Sequence, residues 1–341
     1  MSGTSRRQFL TTAIAAGMAA EFPGPFLASA QTENNAVSPG KPAQNTDMPR
    51  RILGKTKESV TILGLGCAYA GGGVDEAATR AVIETALEGG VRYFDSAPEY
   101  VQAEERLGPV IEGIRKEIFL TTKTYAMDAA GAEADLNKAL KNLKTDHVDL
   151  FLQHGVGLDS VSKPGLILGK GGSLEYLRKA KKEGLTRFIG MSVHPPISTA
   201  LALLKASEEW DVVMPFVNYV ARAQERLDPP REDLFEKAAG LGIGVVAMKV
   251  LGGHPAPLAK EYDRAFRYAL SMPAVACALI GARNTEQVKR AVRAAKEFRP
   301  FTPAEMEETL RKGDEIVINK ALASRVLYQH RKRDYRTVAF L

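Results

Sequence analysis

The chain has 341 residues, 45% hydrophobic and 25% charged; that apolar content supports a large buried core and excludes a disordered, collagenous or multi-span membrane protein. The formal charge is +6, and no long arginine-rich tract or aromatic-interleaved basic stripe accompanies it, which argues against a nucleic-acid partner. Two cysteines, Cys67 and Cys277, exclude a disulfide framework and any four-cysteine zinc or iron–sulfur site.

Residues 1–30 differ in character from the rest. Arg6-Arg7 leads into a mostly apolar stretch over 9–20, followed by Ala28-Ser29-Ala30 before Gln31. A charged start, a short apolar run and a small-residue end form the pattern of a secretory signal peptide, and the run is short for a bilayer span. Pro23, Gly24 and Pro25 break any helix that would carry it further. Ser5-Arg6-Arg7-Gln8-Phe9-Leu10 resembles the twin-arginine (Tat) export signal of bacteria. That resemblance implies export in the folded state by the Tat machinery, a periplasmic or otherwise exported location, and no stable membrane anchor after cleavage. Such a route suits a protein that acquires a cofactor in the cytoplasm. Residues 31–49 are polar, proline-containing and aperiodic, the composition of a linker. At the other end, residues 331–341 with Arg331-Lys332-Arg333 read as a solvated basic tail.

Between them, over 50–330, short apolar runs alternate with amphipathic segments. Strands are predicted over 61–66, 92–95, 118–122, 148–153, 187–191, 212–214, 243–248 and 276–281. Helices are predicted over 75–88, 104–114, 129–143, 173–183, 197–208, 231–241, 258–271 and 285–295. Leu136, Leu140 and Leu143 show the helical spacing, and Gly89-Gly90, Gly184 and Gly242 sit where left-handed C-caps belong. Eight strand-plus-helix units predict an α/β fold, a single-domain (β/α)8 TIM barrel. Gly64-Leu65-Gly66-Cys67-Ala68-Tyr69 misses the last glycine of a dinucleotide fingerprint, and Gly71-Gly72-Gly73 lacks the Lys-Ser/Thr of a phosphate loop. The two cysteines fall at different heights on neighbouring strands, which argues against a bridge. Trp210 is expected in packing.

In a parallel barrel, catalytic side chains project from the C-terminal ends of strands. Three successive predicted strands end in Asp95, Lys123 and His154, each one βα unit apart, and Tyr100 lies on the loop leaving the first. Any one of these has an ordinary structural explanation. Four together on one rim do not, because a buried unpaired charge is costly. The set suits proton transfer to a carbonyl oxygen: a phenol as acid, an ammonium that favours its phenolate and lowers its pKa, a carboxylate holding the ammonium, and an imidazole on the substrate oxygen. Hydride must come from a cofactor. Asp95 and His154 are also compatible with a metal-dependent barrel hydrolase or isomerase, but no His-x-His pair or further acidic strand-end cluster supports a metal site.

Phe94-Asp95-Ser96-Ala97-Pro98-Glu99-Tyr100 resembles the Phe-Asp-Thr/Ser-Ala-x-x-Tyr motif of the aldo-keto reductases, with Glu104, Leu107-Gly108 and the run into Lys123 continuing it. The approach 143–150 to His154, the segments 187–192 and 242–249, and 280–288 are similar to further stretches of that family. The resemblance implies a Tyr100, Lys123, Asp95 and His154 tetrad, NADP(H) as hydride carrier, and an aldehyde or ketone (or the matching alcohol) as small-molecule substrate. It also implies cofactor contacts at Ser192 and, near the adenosine end, at Gly281, Ala282, Arg283 and Gln287. Met214 and Met248 stand where the family carries a glutamine and an aromatic, and Lys249 is placed to approach the pyrophosphate. Val193 replaces the asparagine usual after the serine, and Arg290-Ala291 a Glu-Asn pair. The alternative left by these departures is an exported nucleotide-binding or sensing barrel without efficient turnover.

Overall fold

Leu150-Phe151-Leu152 and Val245-Val246-Ala247 are apolar at consecutive positions, the pattern of strands covered on both faces. The computed structural model describes residues 47–158, 160–220, 231–253 and 256–324. The signal segment over 1–30 and the basic tail over 331–341 lie outside the described residues.

Among the described residues, eight parallel strands close a barrel: β3 (Leu63–Gly66), β4 (Tyr93–Asp95), β5 (Phe119–Thr124), β6 (Val148–Val156), β7 (Thr186–Val193), β8 (Val212–Pro215), β9 (Gly244–Ala247) and β10 (Val275–Ile280), with β10 returning to β3. Period-two alternation sorts the side chains. Tyr93, Leu150, Leu152, Val212, Met214, Val246, Cys277 and Leu279 fill the barrel interior. Their neighbours Phe94, Phe151, Val213, Val245, Ala247 and Ala278 face the helices outside. The interior is therefore packed, and a ligand is confined to the rim.

The helices begin where short polar side chains satisfy free backbone donors. Asp75 accepts from Ala78 N at 2.7 Å, Asp128 from Gly131 N at 2.8 Å and Asn284 from Gln287 N at 3.0 Å. Gly90, Gly184 and Gly242 have positive φ at the exits. α1 (Glu76–Glu88), α2 (Ala103–Ile111), α3 (Ala129–Leu143), α4 (Pro164–Leu168), α5 (Ser173–Lys182), α6 (Ser198–Ala206), α7 (Arg231–Gly240), α8 (Tyr262–Leu270) and α9 (Thr285–Lys296) surround the strands, and α10 (Pro303–Ser324) follows. Trp210 is fully buried, its Nε1 donating to Leu203 O at 3.3 Å. Cys67 and Cys277 are both buried free thiols.

The structure adds elements that periodicity does not reveal. The strand predicted over 61–66 is divided: Thr61 ends β2 (Ser59–Thr61), which pairs antiparallel with β1 (Arg50–Ile52), and β3 starts at Leu63. This hairpin closes the N-terminal end of the barrel. Leu53 and Val60 enter the interior cluster, and Gly54 crosses Gly244 so closely that a Cβ on it would lie 2.4 Å from Gly244 N. The packed chain starts inside the segment read as linker, since Met48 is buried and Pro49 O accepts from Ile62 N at 3.0 Å. α10 packs against α8 through Arg267, which holds Glu305 at 2.7 Å.

Candidate active site

β4, β5 and β6 are adjacent staves, so the residues at their C-terminal ends share one sector of the rim. Asp95 is the last residue of β4, Lys123 the fifth residue of β5, and His154 the seventh of β6. Tyr100 comes from the loop between β4 and α2. Its backbone is tied by Tyr100 N to Ala97 O at 3.0 Å and by Ala103 N to Tyr100 O at 2.9 Å. Gly71 seats the loop from below, because a Cβ there would fall 1.5 Å from Tyr100 O. Val101 has φ +52°, a left-handed conformation that costs a β-branched residue on the order of 1–3 kcal/mol.

The ammonium of Lys123 is at the centre. Its Nζ donates to Asp95 Oδ2 at 2.7 Å, to Ser96 O at 2.7 Å and to Tyr100 Oη at 3.4 Å, with the side chain 1% exposed. Burial works against its charge, but Asp95 and Tyr100 beside it prevail and hold it above the usual lysine range. The Tyr100 phenol departs from the sequence expectation. Burial pushes it above its ordinary value, and Lys123 pulls it only part of the way back. It is therefore a protonated phenol at neutral pH, an acid with an ammonium ready to stabilise the phenolate it leaves.

His154 is buried, with its ring stacked on Tyr125 at 4.1 Å and edge-on to Tyr100 at 6.1 Å between centroids. Burial, then Lys123 and Lys249, hold it well below its ordinary value, so it is a neutral imidazole at neutral pH. Its Nδ1 lies 3.3 Å from Glu99 Oε2. His194 continues the wall, 6.4 Å from His154 and 4.8 Å from Phe216.

The remaining sequence-predicted residues occupy the opposite sector, on β7 to β10. Ser192 is buried and accepts from Gly155 N at 2.9 Å. Met248 is 8% exposed over the interior cluster. Met214 has no exposed surface and packs in that cluster. Lys249 has φ +53° and reaches solvent, although protein crowds it on most sides; that enclosure and the Lys123 ammonium hold it below its ordinary value. Beyond β10, Gly281 lies against the ring of Tyr69, and the exposed Arg283 stacks over the same ring at 4.5 Å. Gln287 is engaged locally, its Oε1 accepting from Arg283 N at 2.7 Å.

Sequence reasoning missed Glu99, Tyr125 and Phe216. Two of them carried a usable signal. Tyr125 follows Lys123 by two residues and Phe216 follows Met214 by two, the same-face spacing of a strand. Glu99 lies on a loop and had none. Asp95 Oδ1 and Ser96 Oγ are buried without a hydrogen-bond partner, so this floor retains polar capacity for a bound group. Among the described residues, no group of three or more His, Cys, Asp or Glu side chains is placed to hold a metal ion, and no helix is long and apolar enough to cross a membrane.

A model of the aldo/keto reductase family matches residues 62–264. The chain is 26% identical to the uncharacterized oxidoreductase YqkF of Bacillus subtilis, over 73% of this chain and 91% of that one. It is 31% identical to the aldehyde reductase YPR1 of Saccharomyces cerevisiae, over 60% and 70%. The holo form of an aldo-keto reductase from Bacillus halodurans superposes with a TM-score of 0.65 at 25% identity, covering 78% of this chain and 96% of that one.

Proposed function

The chain belongs to the aldo/keto reductase family and is an oxidoreductase of that family, and from that premise we propose that it moves hydride between NADP(H) and an aldehyde or ketone, or the matching alcohol. One observation carries the reading: a charged, buried Lys123 that bonds both Asp95 and the Tyr100 phenol. A phenol so placed gives its proton to an oxygen held beside it, and the ammonium stabilises the phenolate left behind. Asp95 keeps Lys123 charged and aimed. Neutral His154 shares the oxygen by a hydrogen bond, and the stacked Tyr125 holds its ring flat.

The residues opposite fit a phosphorylated dinucleotide. Arg283 projects at the N-terminus of α9, where backbone donors and the helix dipole favour phosphate. Gly281 and Ala282 lead into the same helix start, Lys249 adds a cation, and across the rim the unpartnered Asp95 Oδ1 and Ser96 Oγ keep hydrogen-bonding capacity for a bound group. When bound, the nicotinamide supplies or accepts the hydride. Ser192 and Met248 would flank it.

The segment over 1–30 supports export by the Tat route and a periplasmic location, with loading of the cofactor before export. Nicotinamide-fluorescence titration of protein lacking residues 1–30 with NADPH and NADH tests the cofactor. Tyr100→Phe tests the chemistry: carbonyl reduction falls by roughly 100-fold or more, while NADPH affinity stays within about 2-fold. Retained turnover in Tyr100→Phe would refute the assignment.

A further inference from the structure

Glu99 is the carboxyl nearest the imidazole, and nothing in the tetrad accounts for it. Its Oε2 lies 3.3 Å from His154 Nδ1, and its side chain is 23% exposed against 6% for the histidine. Tyr125 covers the face of the imidazole, and Tyr100 and His194 meet the ring at steep angles. With Nδ1 turned to Glu99, the other nitrogen, Nε2, is the one available to a bound oxygen. A neutral imidazole has one N–H, and the partner of one nitrogen decides which carries it.

We propose that Glu99 is a positioning residue that sets the tautomer of His154, making Nε2 an acceptor when the Glu99–His154 pair holds one proton and a donor when it holds two. With one proton, the carboxylate takes the hydrogen bond from Nδ1–H and leaves a lone pair on Nε2. With two, the added proton rests on the carboxyl, which donates to Nδ1, or on the ring; Nε2–H results either way. A carbonyl oxygen only accepts, so His154 can share it through Nε2–H and not through a bare Nε2; in the reverse direction the alcohol's own proton goes to Tyr100. One proton on this pair therefore decides whether Nε2 can hold the reacting oxygen. That consequence for turnover rests on the function proposed above; the tautomer itself does not.

The groups facing the pair are few. Around Glu99 they are Lys123, Lys138, Tyr100, Tyr125, Glu104 and Asp135; around His154 they are Lys123, Lys249 and His194. Burial raises Glu99 above the usual glutamate range and lowers His154, so both neutral forms are favoured together.

The test is two-bond ¹H–¹⁵N spectroscopy of the full chain labelled with [¹⁵N]histidine, from about pH 5 to about pH 9, with His154→Gln to identify the signal. The expected result is an Nδ1-protonated, Nε2-bare ring at the alkaline end that gains an Nε2 proton as pH falls. Glu99→Gln abolishes that conversion. A wild-type ring carrying its proton on Nε2 at the alkaline end would overturn the proposal without any variant. So would a Glu99→Gln titration superimposable on that of the wild type. In turnover, Glu99→Gln flattens the pH profile of kcat/KM across the range in which the wild-type ring converts. The expected spectra with no turnover in any variant would support the tautomer and refute the oxidoreductase assignment alone.

Discussion

Replacing Asp95 by Asn removes one charge from a pair buried together and leaves the other in place. Lys123 Nζ sits 2.7 Å from Asp95 Oδ2, with side-chain exposures of 1% and 6%. Ser96 O and Tyr100 Oη are neutral and cannot replace the carboxylate. Breaking a buried pair this way costs about 3–5 kcal/mol, whereas removing both charges into well-packed apolar volume is near neutral. At about 2–4 °C per kcal/mol for a domain of this size, Asp95→Asn lowers Tm by about 6–20 °C. Asp95→Asn combined with Lys123→Met recovers most of the loss. The pH dependence follows from the raised lysine. Its contribution is complete below the unfolded-state value near 10.4 and is lost as pH rises through the folded-state value. In Asp95→Asn the ammonium has burial without compensation, so Lys123 deprotonates below its unfolded-state value and the gap to wild type narrows as pH rises toward about 10. Thermal melts of the three proteins across pH are the assay. A single variant within about 2 °C of wild type, or a double variant no more stable than the single, would show that Lys123 is not held charged by Asp95.

Glu104 is 1% exposed, donates nothing when ionised, and accepts from Thr122 Oγ1 at 2.6 Å, with its Oε2 unpartnered. Burial pushes it up to about 7. The folded state therefore holds a proton that the unfolded chain has lost between about pH 4.5 and 7, so wild type gains as much as about 3 kcal/mol relative to Glu104→Gln as pH falls through that window; parallel urea midpoints across it would refute this. Gly71→Ala drives a Cβ into Tyr100 O, costs about 1–3 kcal/mol as overpacking, and lowers kcat by displacing the Tyr100 loop. Unchanged turnover would mean the loop is not seated there. Arg283→Ala weakens NADPH binding by about 10-fold or more, the loss expected for a charged hydrogen bond, and NADH binding far less. Equal losses for both cofactors would place the 2′-phosphate elsewhere.

Much of the barrel was legible in the chain because its signals are local. Leu136 and Leu143 are both fully buried on the helix that their spacing predicted, and Gly90, Gly184 and Gly242 take the conformations that helix exits require. The hairpin before β3 was not legible, since two strands of three residues carry no period to detect and their role depends on Gly244, far along the chain. α4, of five residues, escaped for the same reason. In the site, one βα unit between Asp95, Lys123 and His154 was enough to place them side by side.

What the sequence determined by itself was which groups share the rim: residue identity and repeat spacing decide that, and both are written along the chain. Only the tertiary structure decided their proton affinities and partners. Tyr100 rises because burial outweighs Lys123, Met214 packs in the interior cluster, and Glu99 meets His154 across 55 residues of chain. Desolvation sums over every atom packed around a group, so no spacing between two residues encodes it.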